Sequence, residues 1–421
     1  MATLWSNRYA QRTQRMGRSM IRELLKFTTR PDMISFAGGL PAPELFPAER
    51  CQEAACRVLS EHGASALQYG QTEGFLPLRQ FICDRMSRYG IGADPTNVVI
   101  TNGSQQALDL IGKLLVNPGD RILVEEPTYL GALQAWNAYQ AEYVSVPIDD
   151  DGLRTEMLEP ALRIGPKFMY VLPNFQNPGG TTLSESRRYE LVRLSNKYGI
   201  PIVEDDPYGS LRFEGEHLQP LVALDVDYQK SAGLNGHGFL EGNVIYLGTF
   251  SKTLAPGLRL GWAVAPLDVV DQLVMAKQGA DLHTSNFTQM LAYEVVKDGF
   301  IDEHIREIRT VYRQRRDVML AALERCFPEG CSWTRPQGGL FLWARVPEWI
   351  DTLELLPEAV DHEVAYVPGS AFYAEPIRGR NTMRLNFSNA RPEQIEEGIR
   401  RLGDLLKAKL AGRTVRVPVA A

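Results

Sequence analysis

Short apolar runs alternate with amphipathic stretches through the middle of the chain. Such nearly continuous apolar runs predict the strands of a mostly parallel sheet that helices cover on both faces. The predicted strands are NVVIT (97–101), RILVEE (121–126), KFMYVLP (167–173), IPIVEDD (200–206), NVIYLGT (243–249) and GWAVAP (261–266). Because α/β sheets bind ligands outside the carboxyl ends of their strands, we expect the chemistry to lie just after these runs.

Apolar residues at helical spacing predict the helices. Leu108, Ile111 and Leu115 recur at this spacing, so we expect a helix to begin near Ser104. Towards the C terminus, longer amphipathic helices surround shorter strand-like runs such as LFLWARV (340–346). The apolar positions of these helices are Ile305, Ile308, Tyr312, Met319 and Leu323, and then Ile395, Ile399, Leu402 and Leu406. The change of pattern indicates a second, smaller domain.

Length and local composition predict how the chain is divided. A chain of 421 residues is longer than one core usually supports, so two domains are expected. We predict a large, ligand-binding domain over residues 46–295 and a small domain over 296–421, which the N-terminal arm and helix of residues 1–45 join. Residues 214–242 are rich in glycine and polar side chains and predict a surface loop, and residues 411–421 predict a loose tail.

Charge and cysteine usage narrow the function classes. A formal charge of −6 gives no basic field for nucleic acid, and the arginines within residues 306–316 are interpreted as a solvated helix face. Five cysteines without a CxxC pair favour reduced thiols in a cytoplasmic protein and predict no metal site. There is no secretion signal and no run of 18 apolar residues, so we expect no membrane partner either.

A lysine at the end of a predicted strand is the strongest chemical signal. Thr249, Ser251 and Lys252 close the run 243–249, and Arg259 follows the lysine by seven residues. A phosphorylated aldehyde needs this combination, because the amine can bind the aldehyde covalently while hydroxyls and a guanidinium hold the phosphate. Taken alone, the motif is also compatible with a surface lysine at a strand end.

Further motifs resemble the class I/II aminotransferases, most closely their 2-aminoadipate/kynurenine branch. The motifs are SMIRELLK (19–26), ISFAGGLPAPELFP (34–47), QYGQTEGFLPLR (68–79), TNGSQQALDLIGKL (101–114), VEDDPYG (203–209), TFSKTLAPGLRLGW (249–262) and NTMRLNFS (381–388). The resemblance implies the α/β transferase fold of type I, with a mostly parallel seven-stranded sheet in the large domain and a smaller α+β domain. It also implies pyridoxal 5′-phosphate (PLP) as cofactor and a homodimer whose active sites are shared across the interface.

The resemblance assigns the residues around the cofactor ring. It implies that Lys252 holds the aldehyde, that Asp205 binds the pyridine nitrogen, and that Tyr208 and Asn177 bind the 3′-oxygen. A carboxylate against the ring nitrogen keeps that nitrogen protonated, which makes the ring an electron sink. Asp206 is the competing assignment for this carboxylate. The family's usual Asn-Pro-Thr-Gly is Asn-Pro-Gly-Gly here, so any role of the threonine hydroxyl is in doubt.

Other residues match the positions that contact the cofactor's phosphate and the faces of its ring in the family. Gly103, Ser104 and Gln105 open a helix, where free backbone N–H groups attract an anion, and they match the family's phosphate cradle. Simple helix capping is the alternative. Tyr129 matches the aromatic side chain that stacks on the ring, with a core tyrosine as the alternative. Tyr69 resembles a tyrosine that reaches the phosphate of the neighbouring subunit.

Substrate recognition is assigned by the same resemblance. Arg384 matches the arginine that clamps the α-carboxylate, and Asn177 and Gly39 are expected beside the same group. Arg22, with Ser19 before it, resembles the residue of the N-terminal helix that reads a distal carboxylate. The donor is expected to be 2-aminoadipate, glutamate, an aromatic or a branched-chain amino acid, and the acceptor a 2-oxo acid such as 2-oxoglutarate, in a ping-pong reaction.

Two other functions are compatible with the same fold and cofactor. A lyase, decarboxylase or racemase uses the same site for different chemistry, because the fold does not fix the reaction. PLP-sensing transcription regulators carry a helix-turn-helix domain before the aminotransferase part. We expect none here, since roughly thirty residues precede FAGGLP.

Overall fold

The structure is a computed structural model that describes residues 4–17, 32–233 and 240–414. The helices are α1 (Ala48–Ala66), α2 (Leu76–Ser87), α3 (Ser104–Leu115), α4 (Leu130–Asn137), α5 (Leu158–Leu162), α6 (Glu185–Tyr198), α7 (Leu221–Ser231), α8 (Leu267–Asp281), α9 (Asn286–Val296), α10 (Phe300–Cys326), α11 (Thr352–Asp361) and α12 (Pro392–Thr414). The strands are β1 (Ile34–Ser35), β2 (Val98–Thr101), β3 (Arg121–Glu126), β4 (Glu142–Asp149), β5 (Gly152–Leu153), β6 (Met169–Val171), β7 (Ile202–Asp205), β8 (Val244–Thr249), β9 (Gly261–Val264), β10 (Ser332–Trp333), β11 (Phe341–Arg345), β12 (Val364–Ala365), β13 (Val367–Pro368) and β14 (Thr382–Asn386).

The large sheet has eight strands in the described part of the chain, in the order β2-β9-β8-β7-β6-β3-β4-β5. Strands β3, β4, β6, β7 and β8 run parallel, whereas β9 runs antiparallel to both of its neighbours, β2 and β8. The expected mostly parallel sheet is confirmed. It differs from the expected seven strands by β5, a two-residue strand that turns back on the edge strand β4.

All six strands that the apolar runs predict are present. Strands β2, β6, β7 and β8 are buried along their whole length, and two apolar clusters pack on the two faces of the sheet. The pattern did not predict β4. Its eight residues include Pro147 and are only partly buried near the edge of the sheet, so they form no continuous apolar run.

The carboxyl ends of β2, β6, β7 and β8 meet at one edge of the large sheet. Strand β2 is antiparallel to β9, which is antiparallel to β8, so β2 points the same way as the parallel strands. The segments that leave this edge contain the predicted site residues, which are Gly103–Gln105, Asn177, Asp205–Tyr208 and Thr249–Lys252. The sheet therefore brings together residues that lie up to about 150 positions apart in sequence.

The C-terminal part of the chain forms a second, four-stranded antiparallel sheet in the described residues, in the order β10-β11-β14-β13. The two predicted long helices are present as α10 and α12, and they pack against each other. Strand β1 pairs in parallel with β12, and the Tyr312 hydroxyl of α10 accepts a hydrogen bond of 2.9 Å from Ala42 N. The segment that precedes the large sheet is therefore joined to the C-terminal part.

Two segment predictions are corrected. The stretch predicted as a loop over 214–242 contains α7, because the run Leu-Val-Ala-Leu at 221–224 is buried. The loop was predicted because glycine and polar residues on both sides of this run dominate the composition of residues 214–242. The tail predicted from 411 begins within α12, which continues to Thr414.

The interpretation of the 306–316 arginines as a solvated face is wrong for two of them. Arg315 and Arg316 are each 4 % exposed. Arg315 donates to Ser388 O and forms an ion pair with Glu44, and Arg316 donates to Pro336 O. Their burial is possible because the rest of the fold supplies acceptors that local sequence does not reveal. Among the described helices, none is both long and apolar enough to cross a membrane.

Candidate active site

Lys252 lies in the turn that follows β8, at the carboxyl edge of the large sheet. Its Nζ donates a hydrogen bond of 2.7 Å to the backbone oxygen of Gly39. Burial, and then the positive charges of Arg384 and Arg259, lower the pKa of Lys252 to about 8. A fraction of this amine is therefore unprotonated near neutral pH, which makes it usable as a nucleophile and as a base.

Two adjacent aspartates at the end of β7 have different surroundings. Asp205 is 3 % exposed and accepts a hydrogen bond of 2.8 Å from the Tyr170 hydroxyl at Oδ2, whereas Oδ1 has no partner among the described residues. Burial raises its pKa to about 7. Asp206 accepts hydrogen bonds at both oxygens, from Asn174 at 2.9 Å and from Tyr246 at 3.2 Å. The free oxygen of Asp205 favours it over Asp206 as the partner of a ligand nitrogen.

Tyr208, Asn177 and Tyr129 are all close to Asp205. The Asn177 amide donates to the Tyr208 hydroxyl at 3.4 Å. Burial raises the pKa of both tyrosines, and the charge of Asp205 contributes to each increase, so both phenols stay protonated. A Cβ at Gly131 would lie 2.5 Å from the Tyr129 ring, which places this ring over the first turn of α4. The three residues are thus brought together as predicted.

The start of α3 forms a cradle beside Arg259. Gly103 has a φ of +73°, and a Cβ there would lie 2.5 Å from Arg259 Nη2. The Arg259 guanidinium also donates to Asn102 O at 3.3 Å. Ser104 Oγ is buried and finds no hydrogen-bond partner within residues 4–17, 32–233 and 240–414. Backbone N–H groups, a free hydroxyl and a guanidinium at a helix start suit an anion.

The remaining predicted phosphate residues are held by the backbone. Ser251 N donates to Thr249 Oγ1 at 3.0 Å, and Thr249 Oγ1 donates to Leu260 O at 2.8 Å. Gln105 Nε2 donates to Gly131 O at 2.8 Å, which connects the starts of α3 and α4. Thr249 and Gln105 are therefore fixed in place by bonds within the protein.

Arg384 is a buried arginine on β14 of the second sheet. It is 1 % exposed, and it donates to Asn177 Oδ1 and to Ala37 O, each at 2.8 Å. Its guanidinium lies 4.2 Å from the centre of the Phe341 ring, and no described residue bonds to its Nε. Burial lowers its pKa to about 10, so it remains a cation at neutral pH. Gly39 lies beside the same ring, since a Cβ there would lie 3.3 Å from Phe341.

Three predicted residues are not placed in this cluster. Tyr69 is 78 % exposed and packs edge-on against His283, with ring centres 5.8 Å apart. Ser19 and Arg22 lie outside the described residues. The described residues contain no group of three or more His, Cys, Asp or Glu side chains that could hold a metal.

The sequence did not single out several buried polar residues next to the site. Tyr170 on β6 contacts Asp205, and Asn174 contacts Asp206. Glu125, on β3, accepts hydrogen bonds from Leu172 N and from Gln176, and burial raises its pKa to about 8. Their positions after or within buried strands are the only sequence signal, and many structural residues share that signal.

These residues fit pyridoxal phosphate. In the described part of the chain ten buried side-chain polar atoms lack hydrogen-bond partners, and three of them belong to predicted site residues, namely Asp205 Oδ1, Ser104 Oγ and Arg384 Nε. They match, in turn, the ring nitrogen, the phosphate and the carboxylate of an amino-acid substrate, and Lys252 supplies the amine for the aldehyde. Buried polar atoms are rarely left unpaired unless a ligand or water uses them. The fold and the site define the class of PLP-dependent enzymes with a lysine-bound cofactor.

Comparisons with known proteins identify the family. Residues 32–402 match the family Aminotransferase class I and II. An aromatic-amino-acid aminotransferase of Thermococcus litoralis is 47% identical over 96% of this chain and 94% of its own. A 2-aminoadipate transaminase of Thermus thermophilus is 44% identical, over 97% of this chain and 98% of its own. The crystal structure of an α-aminoadipate aminotransferase from Thermus thermophilus, complexed with N-(5′-phosphopyridoxyl)-L-leucine, has a TM-score of 0.88 and 42% identity, over 97% of this chain and 100% of that one.

This chain belongs to the class I and II aminotransferases. It is a PLP-dependent transaminase with the type I fold, which confirms the family, fold, cofactor and enzyme class expected from the motifs.

Proposed function

We propose that this aminotransferase takes the amino group of an L-amino acid and gives it to a 2-oxo acid such as 2-oxoglutarate by a ping-pong mechanism. The proposed donors are 2-aminoadipate, glutamate, aromatic and branched-chain amino acids. One observation carries the proposal: an amine with a pKa of about 8, at Lys252, lies near a buried arginine with an unused donor, Arg384. A base and a carboxylate clamp are what the Cα of a bound amino acid requires.

We assign the proton transfer to Lys252. When bound, PLP supplies the aldehyde that takes the amino group and a ring that accepts the electron pair left at Cα. Lys252 Nζ would take the proton from the substrate Cα. It would then pass this proton to the cofactor carbon that carried the aldehyde, which keeps the amino nitrogen. A pKa near the working pH suits both directions of this transfer, since the amine must both accept and release a proton.

We assign orientation to the charged and amide groups around Lys252. Arg384 binds the α-carboxylate through its guanidinium, and Asn177, which already contacts this guanidinium at 2.8 Å, lies beside the bound group. Asp205 Oδ1, which has no partner among the described residues, would bind the ring nitrogen of PLP and keep that nitrogen protonated. Tyr208 and Asn177 would both donate to the 3′-oxygen of PLP. Burial raises the pKa of Tyr208, so its phenol keeps the proton, and the Asn177 amide already lies beside that hydroxyl.

We assign phosphate binding to the start of α3 and to the turn after β8. Gly103, Ser104 and Gln105 present the helix start, while Ser251 and Arg259 provide a hydroxyl and a guanidinium. Thr249 shapes the turn through its bonds to Ser251 N and Leu260 O. The remaining ring contact is assigned to Tyr129, whose side chain stacks on the cofactor.

The substrate proposal is supported by the relatives. The names of two relatives specify aromatic amino acids and 2-aminoadipate, and the solved structure contains a phosphopyridoxyl-leucine adduct. We propose that the same broad set is used here. Gly39 approaches the α-carboxylate, and Arg22, after Ser19, reads a distal carboxylate.

We also propose a cytoplasmic homodimer in which Tyr69 reaches the phosphate of the partner subunit. The 78 % exposure of Tyr69 supports this, because a tyrosine with a free outer surface is available to a neighbour. The chain is divided as residues 1–45, 46–295 and 296–421 in this proposal. The large sheet, which spans 98–264, and the β1–β12 pairing support the division.

A single experiment tests the reaction type. Purified enzyme is incubated with one amino donor and 2-oxoglutarate, and all four amino and oxo acids are quantified over time. We expect donor and acceptor to be consumed in equal amounts, and double-reciprocal plots to give parallel lines. In Lys252→Ala, neither the donor nor the acceptor should be consumed. Release of carbon dioxide or ammonia, or D-amino acid formation, without consumption of the acceptor would contradict the proposal.

The substrate assignment needs a donor panel. Wild type and Arg22→Ala are compared with 2-aminoadipate, glutamate, leucine and phenylalanine. We expect kcat/KM to fall roughly tenfold or more for the two acidic donors, since a charged hydrogen bond contributes about 1.5–3 kcal/mol. An equal effect on leucine and phenylalanine would show that Arg22 does not read a distal carboxylate.

A further inference from the structure

A buried tyrosine holds the aspartate that faces the cofactor. The Tyr170 hydroxyl donates to Asp205 Oδ2 at 2.8 Å, and both side chains are buried, at 0 % and 3 % exposure. The second oxygen, Oδ1, has no partner in the described part of the chain. One carboxylate oxygen is therefore held by the protein, and the other is left for a ligand.

The strand register fixes this pair. Tyr170 on β6 lies opposite Val203 on β7, and Asp205 follows Val203 by two residues on the same face of the sheet. Trp136 packs edge-on against Tyr170, with ring centres 5.0 Å apart, and its own Nε1 is bonded to Leu108 O at 2.9 Å. The phenol therefore has little freedom to turn away from Asp205.

The charges explain why this hydrogen bond matters. Burial raises the pKa of Asp205 to about 7, and the Tyr170 hydroxyl is the side-chain group that opposes this increase. Burial also raises the pKa of Tyr170 far above its ordinary value, so the phenol remains a donor. Without this donor, more of the carboxyl group would be protonated near neutral pH, and its free oxygen would lose its charge.

We propose that Tyr170 is a positioning residue that keeps Asp205 ionised and aims Oδ1 at the ring nitrogen of the cofactor. This inference rests on the proposed role of Asp205. Tyr170 touches neither cofactor nor substrate in this assignment. Tyr170 affects only the interaction between Asp205 and the ring nitrogen. By stabilising the ionised carboxylate, it favours the state in which the proton between these two groups stays on the nitrogen.

The test compares two ligands on each variant. Affinities are measured by fluorescence for PLP and for the PLP analogue in which C–H replaces the ring nitrogen. The ratio of the two affinities reports only the interaction with the nitrogen, and any general loosening of the site cancels. Tyr170→Phe keeps the ring that packs on Trp136 and removes only the hydroxyl.

Tyr246→Phe is the matched control. The Tyr246 hydroxyl makes an equivalent bond to the neighbouring carboxylate, Asp206, at 3.2 Å, and Tyr246 is also buried. We expect Tyr170→Phe to reduce the preference for PLP over the analogue about tenfold, which corresponds to about 1.4 kcal/mol. We expect Tyr246→Phe to leave the preference at the wild-type value.

A third variant, Asp205→Ala, distinguishes failure of the proposed role of Asp205 from failure of the inference about Tyr170. If Asp205→Ala keeps the wild-type preference, the proposed role of Asp205 itself fails. If Asp205→Ala abolishes the preference while Tyr170→Phe leaves it unchanged, the role of Asp205 stands and the inference about Tyr170 is overturned.

Discussion

The Lys252 amine destabilises the folded protein at neutral pH. Its pKa is lowered from 10.5 to about 8, whereas the unfolded chain keeps the ordinary value. Below pH 8 the folded state therefore carries the full penalty of this group, and the penalty disappears as the pH rises to 10.5. A shift of this size corresponds to up to about 3 kcal/mol, and less where solvent reaches the amine.

Lys252→Met is therefore expected to change how stability depends on pH. Between pH 8 and 10.5 the free energy of unfolding of the wild-type apoenzyme should rise relative to that of the variant, because only the wild type has the titrating amine at this position. Urea unfolding of both proteins across this range measures the difference. At neutral pH the variant gains less free energy of unfolding than the full cost of the buried Lys252 charge. The reason is that Gly39 O loses the hydrogen bond that it now accepts from Lys252.

Lys407→Met, on the exposed side of α12, serves as the control for replacing a lysine by methionine. Identical pH profiles of Lys252→Met and wild type would mean that the amine at position 252 has an ordinary pKa.

Single residues were predictable where a local motif marks them. Lys252, Asp205, Asn177 and Arg384 lie in motifs that could be read from the chain. Tyr170 carries no such mark, because its contact with Asp205 depends on the register of two strands whose residues are 35 positions apart.

The start of α3 is the element whose geometry depends most on one residue. Gly103 adopts a φ of +73°, and its missing side chain leaves room for the Arg259 guanidinium. Gly103→Ala should lower stability by about 1–3 kcal/mol through backbone strain. It should also weaken PLP binding about tenfold or more, since the guanidinium is displaced from its position.

Gly90→Ala separates these two effects. Gly90 has a similar φ of +77°, but a Cβ there would meet nothing within 4 Å. Both variants should melt at reduced temperatures, and only Gly103→Ala should lose affinity for PLP in a fluorescence titration. Equal PLP affinities in the two variants would argue against a tight cradle at the start of α3.

Elements were predictable where burial makes their pattern continuous. Strands β7 and β8 are buried throughout and follow from mostly apolar runs. Helix α10 is recognisable because its buried residues recur at helical spacing. Strand β4 and helix α7 do not. Most residues of β4 are only half-buried near a sheet edge, and the short buried run of α7 lies between polar, glycine-rich segments. Composition averaged over such a segment hides one buried turn.

At the scale of the whole molecule, the exposed Tyr69 predicts that two inactive chains can complement each other. In the proposed homodimer, Tyr69→Ala lacks the side chain that reaches the partner's site, and Lys252→Ala lacks the amine of its own site. In a mixed dimer, one of the two sites receives both native residues. Co-refolding equal amounts should restore roughly a quarter of wild-type activity, because half of the dimers are mixed and each has one intact site.

Activity after co-refolding is compared with that of each variant refolded alone. A mixture no more active than the sum of its parts would place Tyr69 outside the partner's site.

The overall architecture was the most predictable feature of the chain, because it depends on many apolar runs at once. The order of the strands was not, since sequence alone does not state that β9 lies between β2 and β8. That order decides which loops become neighbours around the cofactor.

The proposed role of Arg384 as the group that binds the substrate carboxylate has a consequence for turnover. In the free protein its guanidinium already bonds to Asn177 and to Ala37, which lie in segments far apart in the chain. An arriving carboxylate exchanges some of these internal bonds for its own, so the net gain is smaller than the strength of the new bonds. The same exchange runs backwards when the oxo acid departs, because the protein's own oxygens are ready to replace it. Product release is thereby eased by the group that captured the substrate.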